Sequence, residues 1–132
     1  MAAALPPSPP LNPMYDWSDS IPDKIKAVAT SIYGADEVVF AKRASNTLRL
    51  VKKLGLTGLP ICIAKTHRSL SDDPRRLGRP TGFPIHVQSI EINTGAGLLV
   101  VLTGDIVRMP GLPKTPSAVR FDVIDGRISG VW

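Results

Sequence analysis

The chain contains little cysteine, few aromatic residues and no long apolar run. Its 132 residues include one cysteine, Cys62, so no intrachain disulfide can form. Cys62 lies inside a short apolar run, which predicts a small buried side chain. The longest wholly apolar stretch, residues 98–102, falls well below the ~20 residues of a membrane-spanning helix. With an N-terminus unlike a secretory signal or transit peptide, the sequence predicts a soluble, cytoplasmic protein.

Several catalytic motifs are also absent. No G-x-x-x-x-G-K-[ST] segment occurs, and the pair Lys65-Thr66 lacks the preceding glycines of a phosphate-binding loop. The two histidines, His67 and His86, are too few to predict a zinc site. Cys62 and His67 have no evident third residue to orient them as nucleophile and base. The neighbouring residues Asp72 and Asp73 are compatible with a cation site or with the start of a turn.

Positive charge is in modest excess. Sixteen Lys and Arg residues oppose eleven Asp and Glu residues, which favours anionic partners and leaves phosphate, carboxylate and nucleic acid open. The most basic segment is a predicted helix over residues 42–54, with Ala44, Leu48, Val51 and Leu54 facing inward. Its five cations are not interleaved with aromatic residues, so a solvated face is favoured over a nucleic-acid surface.

The remaining periodicity predicts an α/β fold. Ser20 and Gly34 bound a first helix, whose Lys24 and Lys26 are expected in solvent. Apolar runs at 59–64 and 98–102 predict strands buried on both faces, and the alternation over 85–92 slips in phase at Gln88. Asp125-Gly126 predicts a C-terminal β-hairpin, with Trp132 packing back on it. We predict a mixed sheet covered by two helices over residues 15–132, after a disordered proline-rich arm at 1–14.

A polar loop that follows the first buried strand is the strongest candidate binding segment. In α/β sheets, ligands bind outside the carboxyl ends of the strands, where Lys65, Thr66 and their neighbours lie. Pro74 and Pro80 restrict the loop, and Gly82 allows close backbone approach. The loop carries two acids, Asp72 and Asp73, and five cations: Lys65, Arg68, Arg75, Arg76 and Arg79. Anion binding and simple solvation of the surface are both compatible with this composition.

Nine motifs, in order and spacing, resemble the C-terminal portion of formate–tetrahydrofolate ligase. The resemblance covers residues 15–132, whereas the proline-rich start resembles nothing in the family. The motifs are YDW (15–17), IYGAD (32–36), LGLTGLPICIAKT (54–66), SLSDDP (69–74), LGRPTGF (77–83), GAG (95–97), LTGDI (102–106), MPGLPKTP (109–116) and DGRISGVW (125–132).

The resemblance implies a segment of a larger P-loop-type ligase. That family makes 10-formyltetrahydrofolate from formate, tetrahydrofolate and ATP with Mg²⁺, through formyl phosphate. The resemblance implies that its principal catalytic machinery lies outside this chain, which would be a truncated product or one piece of a split enzyme. No catalytic residue, metal ligand or tightly bound cofactor is then expected in the chain itself.

The resemblance also implies where this segment meets its substrates and partners. It assigns the wall of a nucleotide site to Lys65, Thr66, Arg79, Pro80, Thr81, Gly82 and Phe83. It places a second loop beside the cleft, formed by Met109, Pro110, Gly111, Leu112 and Pro113. The implied partners are the N-terminal P-loop portion of the ligase or a full-length ligase oligomer, besides small-molecule substrates. The alternatives are a non-catalytic interaction module and a basic anion- or RNA-binding domain.

Overall fold

The computed structural model describes residues 12–104, 106 and 113–130. These residues form two α-helices and seven strands, which confirms the predicted α/β class and the C-terminal hairpin. The helices are α1 (Ile21–Val28) and α2 (Lys42–Lys53); the strands are β1 (Glu37–Phe40), β2 (Ile61–Ala64), β3 (Pro84–Val87), β4 (Ser89–Asn93), β5 (Leu98–Leu102), β6 (Asp122–Ile124) and β7 (Arg127–Ser129). Within the described residues, neither helix has the length and apolar character that crossing a membrane requires.

Helix α1 begins and ends as its sequence predicts. The Ser20 hydroxyl accepts a hydrogen bond from the backbone N–H of Asp23, and Pro22 occupies the first turn, where its missing N–H costs nothing. A five-residue π-helical turn, Ala29–Tyr33, extends the helix to Gly34. Gly34 adopts φ = 79°, the left-handed conformation that favours glycine at a helix end.

The prediction that Lys24 lies in solvent is wrong. Its side chain is fully buried, and its ammonium donates hydrogen bonds to three carbonyl oxygens: Trp17 at 2.8 Å, Thr57 at 2.9 Å and Leu59 at 3.1 Å. Ile21 explains the error, because Lys24 follows it by three residues and so shares its helical face. Lys24 therefore joins α1 to the N-terminal segment and to the approach to β2.

Helix α2 matches its predicted pattern except at its end. Ala44 and Val51 are buried and Leu48 packs against the core, as predicted. Leu54 was expected to face inward but is 54% exposed. The helix stops at Lys53, and Leu56 contacts the core instead, its N–H donating to the carbonyl of Val51.

The strands form separate ladders rather than the single mixed sheet that was predicted. A three-stranded mixed sheet has the order β2-β5-β4, with β2 parallel and β4 antiparallel to β5, while β1 pairs in parallel with β3. The division falls at Gln88, whose N–H donates to the carbonyl of Leu102 at 2.8 Å. The predicted phase slip is therefore real, and it marks the point where the chain exchanges one pairing partner for another.

Strand β2 lies at an edge of the three-stranded sheet. One of its faces is also exposed, which contradicts the prediction of burial on both faces. Cys62 is exposed rather than buried. Ile61 and Ile63 pack against the core from one face, so the alternating residue Cys62 must project from the other. Strand β5, by contrast, is central, and its Leu99 and Val101 are fully buried.

The helices cover one face of the sheet and enclose most of the core. Its buried members are Ile21, Ile25, Ala44, Val51, Val87, Ile90, Leu99 and Val101. A smaller cluster of Ala29, Ala35, Phe83 and Ile85 lies beneath the end of the first helix.

The C-terminal hairpin forms at the predicted Asp-Gly pair. Strands β6 and β7 pair antiparallel, and Asp125 and Gly126 both have positive φ (49° and 74°), as a tight hairpin turn requires. A 3₁₀ turn, Ser117–Arg120, precedes the hairpin, and Gly130 lies against the carbonyl of Arg120, where a Cβ would have no room. Trp132 and its predicted packing role lie outside the described residues.

Candidate functional site

The carboxyl ends of four strands meet at one edge of the fold. Ala64 of β2 pairs with Leu102 of β5, and Phe40 of β1 pairs with Val87 of β3. The bond between Gln88 and Leu102 brings these two parallel pairs together. This is the edge at which α/β sheets bind ligands, and the loop over residues 65–83 leaves β2 there.

The loop is held by hydrogen bonds between its own residues. Ser69 and Ser71 are buried, their hydroxyl oxygens lie 2.8 Å apart, and the Ser71 hydroxyl donates to the carbonyl of Asp73 at 3.1 Å. The N–H of Leu70 donates to the carbonyl of Gly78 at 2.8 Å. A polar segment of this kind keeps its shape without regular secondary structure because its buried polar groups are paired.

Lys65 contributes to that internal order. Its ammonium donates to the carbonyls of Thr66, at 2.9 Å, and Ser69. It also lies 5.6 Å from the centre of the Tyr33 ring. Burial lowers the pKa of Lys65, and burial, followed by the neighbouring Cys62, raises the pKa of Tyr33. Lys65 therefore anchors the start of the loop.

An aspartate and a histidine join the loop to strand β3. Asp72 Oδ2 accepts the backbone N–H of His86 at 2.8 Å and lies 2.8 Å from its Nδ1. The Asp72 side chain is 14% exposed and the imidazole 50%. Asp73 has the turn role considered above, since its carboxylate accepts the N–H of Arg75 at 2.9 Å. Within the described ranges, no cluster of three or more His, Cys, Asp or Glu residues could hold a metal ion.

Arg79 closes the end of the first helix. Its Nε donates to the carbonyl of Ile32 at 2.9 Å, and Nη2 reaches that of Ser31 at 3.5 Å. A Cβ on Gly34 would lie 3.1 Å from the carbonyl oxygen of Pro80, so the missing side chain permits this close approach. Residues 79–80 thus bind the helix terminus, where carbonyls lack intrahelical partners.

The last three predicted nucleotide residues differ in their accessibility. Phe83 is buried against Ala35 and Ile85, and its carbonyl accepts the N–H of Asp36 at 3.0 Å. Thr81 and Gly82 are exposed. All seven predicted residues lie in this one loop, and Arg79, Thr81 and Gly82 are its exposed members among them. Of the second predicted loop, Met109, Pro110, Gly111 and Leu112 lie outside the described residues, and Pro113 is exposed.

One groove lies at the start of β3 and a second at the carboxyl edge of the strands. One, of about 480 Å³, runs between residues 72–76 and 83–86, with the Arg76 guanidinium 5.8 Å from the centre of the Phe83 ring. Hydrogen bonds from Arg75 lower the pKa of Asp73, and Asp73 in turn raises the pKa of Arg75. The other groove, of about 660 Å³, lies at the start of α2, where Lys42 and Arg43 face Gln88 and Gly104.

Sequence reasoning missed the groove residues Lys42, Arg43 and His86. The available signal for the first two was their place immediately after β1, at the carboxyl edge of a parallel pair. Strand alternation predicts that His86 faces outward, because Ile85 and Val87 face inward. Its contact with Asp72 spans fourteen residues, and no local pattern encodes it.

The fold and the loop place this chain among α/β proteins whose ligand-side loops follow parallel strands. The particular family comes from comparison with known proteins. The family model for formate–tetrahydrofolate ligase matches residues 2–132, and the chain belongs to this family. The match includes most of the proline-rich start that sequence analysis left outside the resemblance.

Named relatives agree with this family. The chain is 47% identical to the formate–tetrahydrofolate ligase of Myxococcus xanthus over 129 residues, 97% of this chain and 23% of the relative. The ligase of Bacteroides thetaiotaomicron is 46% identical over 125 residues, covering 95% of this chain and 22% of the relative. The ligase of Campylobacter curvus is 52% identical over 119 residues, covering 89% of this chain and 22% of the relative. The chain thus spans less than a quarter of the length of these relatives.

Proposed function

We propose that this chain is the C-terminal segment of a formate–tetrahydrofolate ligase, with its domain over residues 15–132 and a cytoplasmic location. One observation carries the proposal: about half of the residues are identical to those ligases along nearly the whole chain, which matches only 22–23% of their length. A segment with that relationship acts within a larger catalytic unit. We propose the N-terminal P-loop portion of the ligase, or its oligomer, as the partner.

In the proposed reaction, a formate oxygen attacks the γ-phosphorus of ATP and the bond to the ADP oxygen breaks. The nitrogen of tetrahydrofolate then attacks the formyl carbon of formyl phosphate, the bond from that carbon to the phosphate oxygen breaks, and the nitrogen gives up its proton as phosphate leaves. The charge that develops in the first step would be neutralised by Mg²⁺ and by a phosphate-binding loop. We assign that loop to the partner portion, because this sequence contains no G-x-x-x-x-G-K-[ST] segment. The chain alone is then expected to be inactive.

Within this unit, we assign residues 65–83 to a wall of the nucleotide site. Lys65, Arg79 and Phe83 would position the wall, since their polar or aromatic groups already contact other parts of the fold. Thr81 and Gly82, which are exposed, would face the ligand. Thr66 and Pro80 belong to the same wall, and residues 109–113 would lie beside the cleft.

A chimera tests the segment proposal directly. This chain would replace the matching 129 residues of the Myxococcus xanthus ligase, and synthesis of 10-formyltetrahydrofolate from ATP, formate and tetrahydrofolate would be measured. We expect an active chimera and an inactive free chain. A folded but inactive chimera would contradict the function, and activity of the free chain would contradict the assignment of the phosphate-binding loop to a partner.

The nucleotide wall is tested by Thr81→Val in the same chimera. Removing an exposed hydroxyl from the ligand side should raise the KM for ATP and leave the KM for formate and the thermal midpoint unchanged. Thr115→Val, at another exposed threonine, is the matched control. An unchanged KM for ATP in the Thr81 variant would remove Thr81 from the wall.

The basic face of α2 favours a second candidate, an anion- or RNA-binding domain. Lys42, Arg43, Arg49, Lys52 and Lys53 are all exposed, and the helix carries no acidic residue. Binding of RNA through this face should weaken steeply as salt is raised, because phosphate contacts release counterions. Binding that does not depend on salt, or no binding to a single-stranded oligonucleotide, would exclude the anion- or RNA-binding domain. A non-catalytic interaction module, the remaining alternative, predicts a chimera that assembles without activity.

A further inference from the structure

The C-terminal hairpin has one apolar face and one mostly polar face. Val123 pairs with Ile128 across the two strands, so their side chains project from the same side, together with Phe121 two residues earlier. The opposite side carries Asp122, Ile124, Arg127 and Ser129. The apolar face is defined here as Phe121, Val123 and Ile128.

This apolar face is uncovered in the free chain. Phe121 is 50% exposed, Val123 65% and Ile128 74%. Alternation of this kind specifies a strand pair with one buried side, because a shift of one residue would exchange the two faces. An isolated two-stranded hairpin is also marginally stable in water, and a third strand or packing against another element is needed to stabilise it. The face therefore has the sequence pattern of a buried surface, although its side chains are exposed in this chain.

The length of the relatives indicates which polypeptide packs on the apolar face. The matched ligases are more than four times as long as the segment they share with this chain. A second copy of the chain is a weaker candidate, because stable interfaces bury roughly 800 Å² on each partner and three side chains supply much less. When the hairpin docks together with the rest of the segment, both belong to one association event, so a small apolar face is sufficient there.

We propose that the apolar face of the hairpin docks on the part of the ligase polypeptide that this chain does not contain. The inference rests on the proposed function, since it takes the remainder of the ligase as the partner. It adds the surface through which the segment joins the enzyme, and it predicts that the polar face of the same hairpin stays in solvent.

The test uses the Myxococcus chimera and two identical substitutions on opposite faces. Ile128→Thr alters the apolar face, and Ile124→Thr, at a residue that is 58% exposed, is the matched control. We expect Ile128→Thr to lower the thermal midpoint of the chimera by about 2 °C or more and Ile124→Thr to leave it unchanged. Hydroxyl-radical footprinting should show severalfold slower oxidation of Phe121 and Ile128 in the chimera than in the free chain, with Ile124 unaffected.

The outcomes distinguish failure of the proposed docking surface from failure of the proposed function. Equal shifts for the two variants, or unchanged oxidation of Phe121 and Ile128, would overturn the surface even if the chimera makes 10-formyltetrahydrofolate. A protected apolar face in an inactive chimera would support the surface and reject the function. If the free chain sediments as a dimer that Ile128→Thr converts to a monomer, the occupant is a second copy and the proposal fails. A chimera that cannot fold, beside a Myxococcus ligase that does, would overturn both.

Discussion

The helix–sheet core and the C-terminal hairpin have similar strand patterns but different surroundings. In the core, Val87 and Leu99 are fully buried between the sheet and its helices. In the hairpin, the corresponding apolar residues Val123 and Ile128 are more than half exposed. Local alternation forms strands in both regions, whereas burial depends on the presence of a second layer.

This difference indicates that the helix–sheet core determines the stability of the free chain, whereas the hairpin acts in association with the rest of the ligase. In the core, the helices pack over the sheet, so the core should dominate the free energy of unfolding of the free chain. The hairpin presents an apolar face without a cover, so substitutions there should act mainly in the assembled ligase.

Leu99→Ala should have the largest effect. Leu99 is fully buried in the central strand, and loss of its side chain leaves a cavity worth about 2–5 kcal/mol of stability. Urea unfolding of the free chain measures the change. Leu77→Ala, at a residue that is 74% exposed, is the control and should change stability by about 0.5 kcal/mol at most. Similar effects of the two substitutions would show that the helix–sheet core does not dominate stability.

Lys24→Met should cost about 2–3 kcal/mol, because three carbonyls lose the charged donor that Lys24 supplies from its buried position. Lys26→Met, on the exposed side of the same helix, should be nearly neutral. Comparable destabilisation by the two variants would contradict a specific role for the buried ammonium.

The same pair of variants predicts a pH dependence. Burial lowers the pKa of Lys24 below its ordinary value of 10.5, against a smaller raising effect of Asp19 and Asp16. Between the lowered pKa and 10.5 the unfolded chain binds more protons, so the Lys24 contribution to stability rises with pH in that window. The wild-type chain and Lys26→Met should show this slope in denaturant titrations, and Lys24→Met should show a smaller one, because the lowered pKa of Lys65 contributes in the same direction. An equal slope in Lys24→Met would assign it to other groups.

Asp72→Ala should cost about 1 kcal/mol, because the backbone N–H of a partly exposed histidine loses its acceptor and the ring loses its partner. The backbone amide hydrogen of His86 should also exchange faster with solvent. A double-mutant cycle with His86→Ala isolates the coupling between the two side chains. Strict additivity in that cycle would show that the imidazole contributes nothing to holding the loop.

Ile128→Thr should have the smallest effect on the free chain, within about 0.5 kcal/mol. The same substitution at Ile90, which is 4% exposed in the core, should be severely destabilising because it combines a cavity with a buried hydroxyl. Urea midpoints of the two variants make the comparison. If Ile128→Thr destabilised the free chain as much as Ile90→Thr, the hairpin would belong to the core.

Much of this fold was predictable from the sequence because its determinants are local. Ser20 and Gly34 bound the first helix, the phase slip at Gln88 marks the change of pairing partner, and Asp125-Gly126 forms the hairpin turn. Each depends on backbone conformation or side-chain period over a few residues.

The errors arise where distant segments meet. Cys62 is exposed because it projects from the face of β2 opposite the core, and sequence alone does not show whether a second layer covers that face. Lys24 is buried because carbonyls from two other segments converge on it. The candidate loop was recognised from its composition, but the Asp72–His86 contact that attaches it to β3 depends on tertiary structure.

Hydrogen–deuterium exchange of the free chain and of the Myxococcus chimera tests whether the hairpin needs the rest of the ligase to be stable. Amides of the core strand β5 should exchange slowly in both proteins, since their layer is complete within this chain. Amides of β6 and β7 should exchange rapidly in the free chain and slowly in the chimera. Equal hairpin protection in the two proteins would contradict the account, because the hairpin would then have no need of the rest of the ligase.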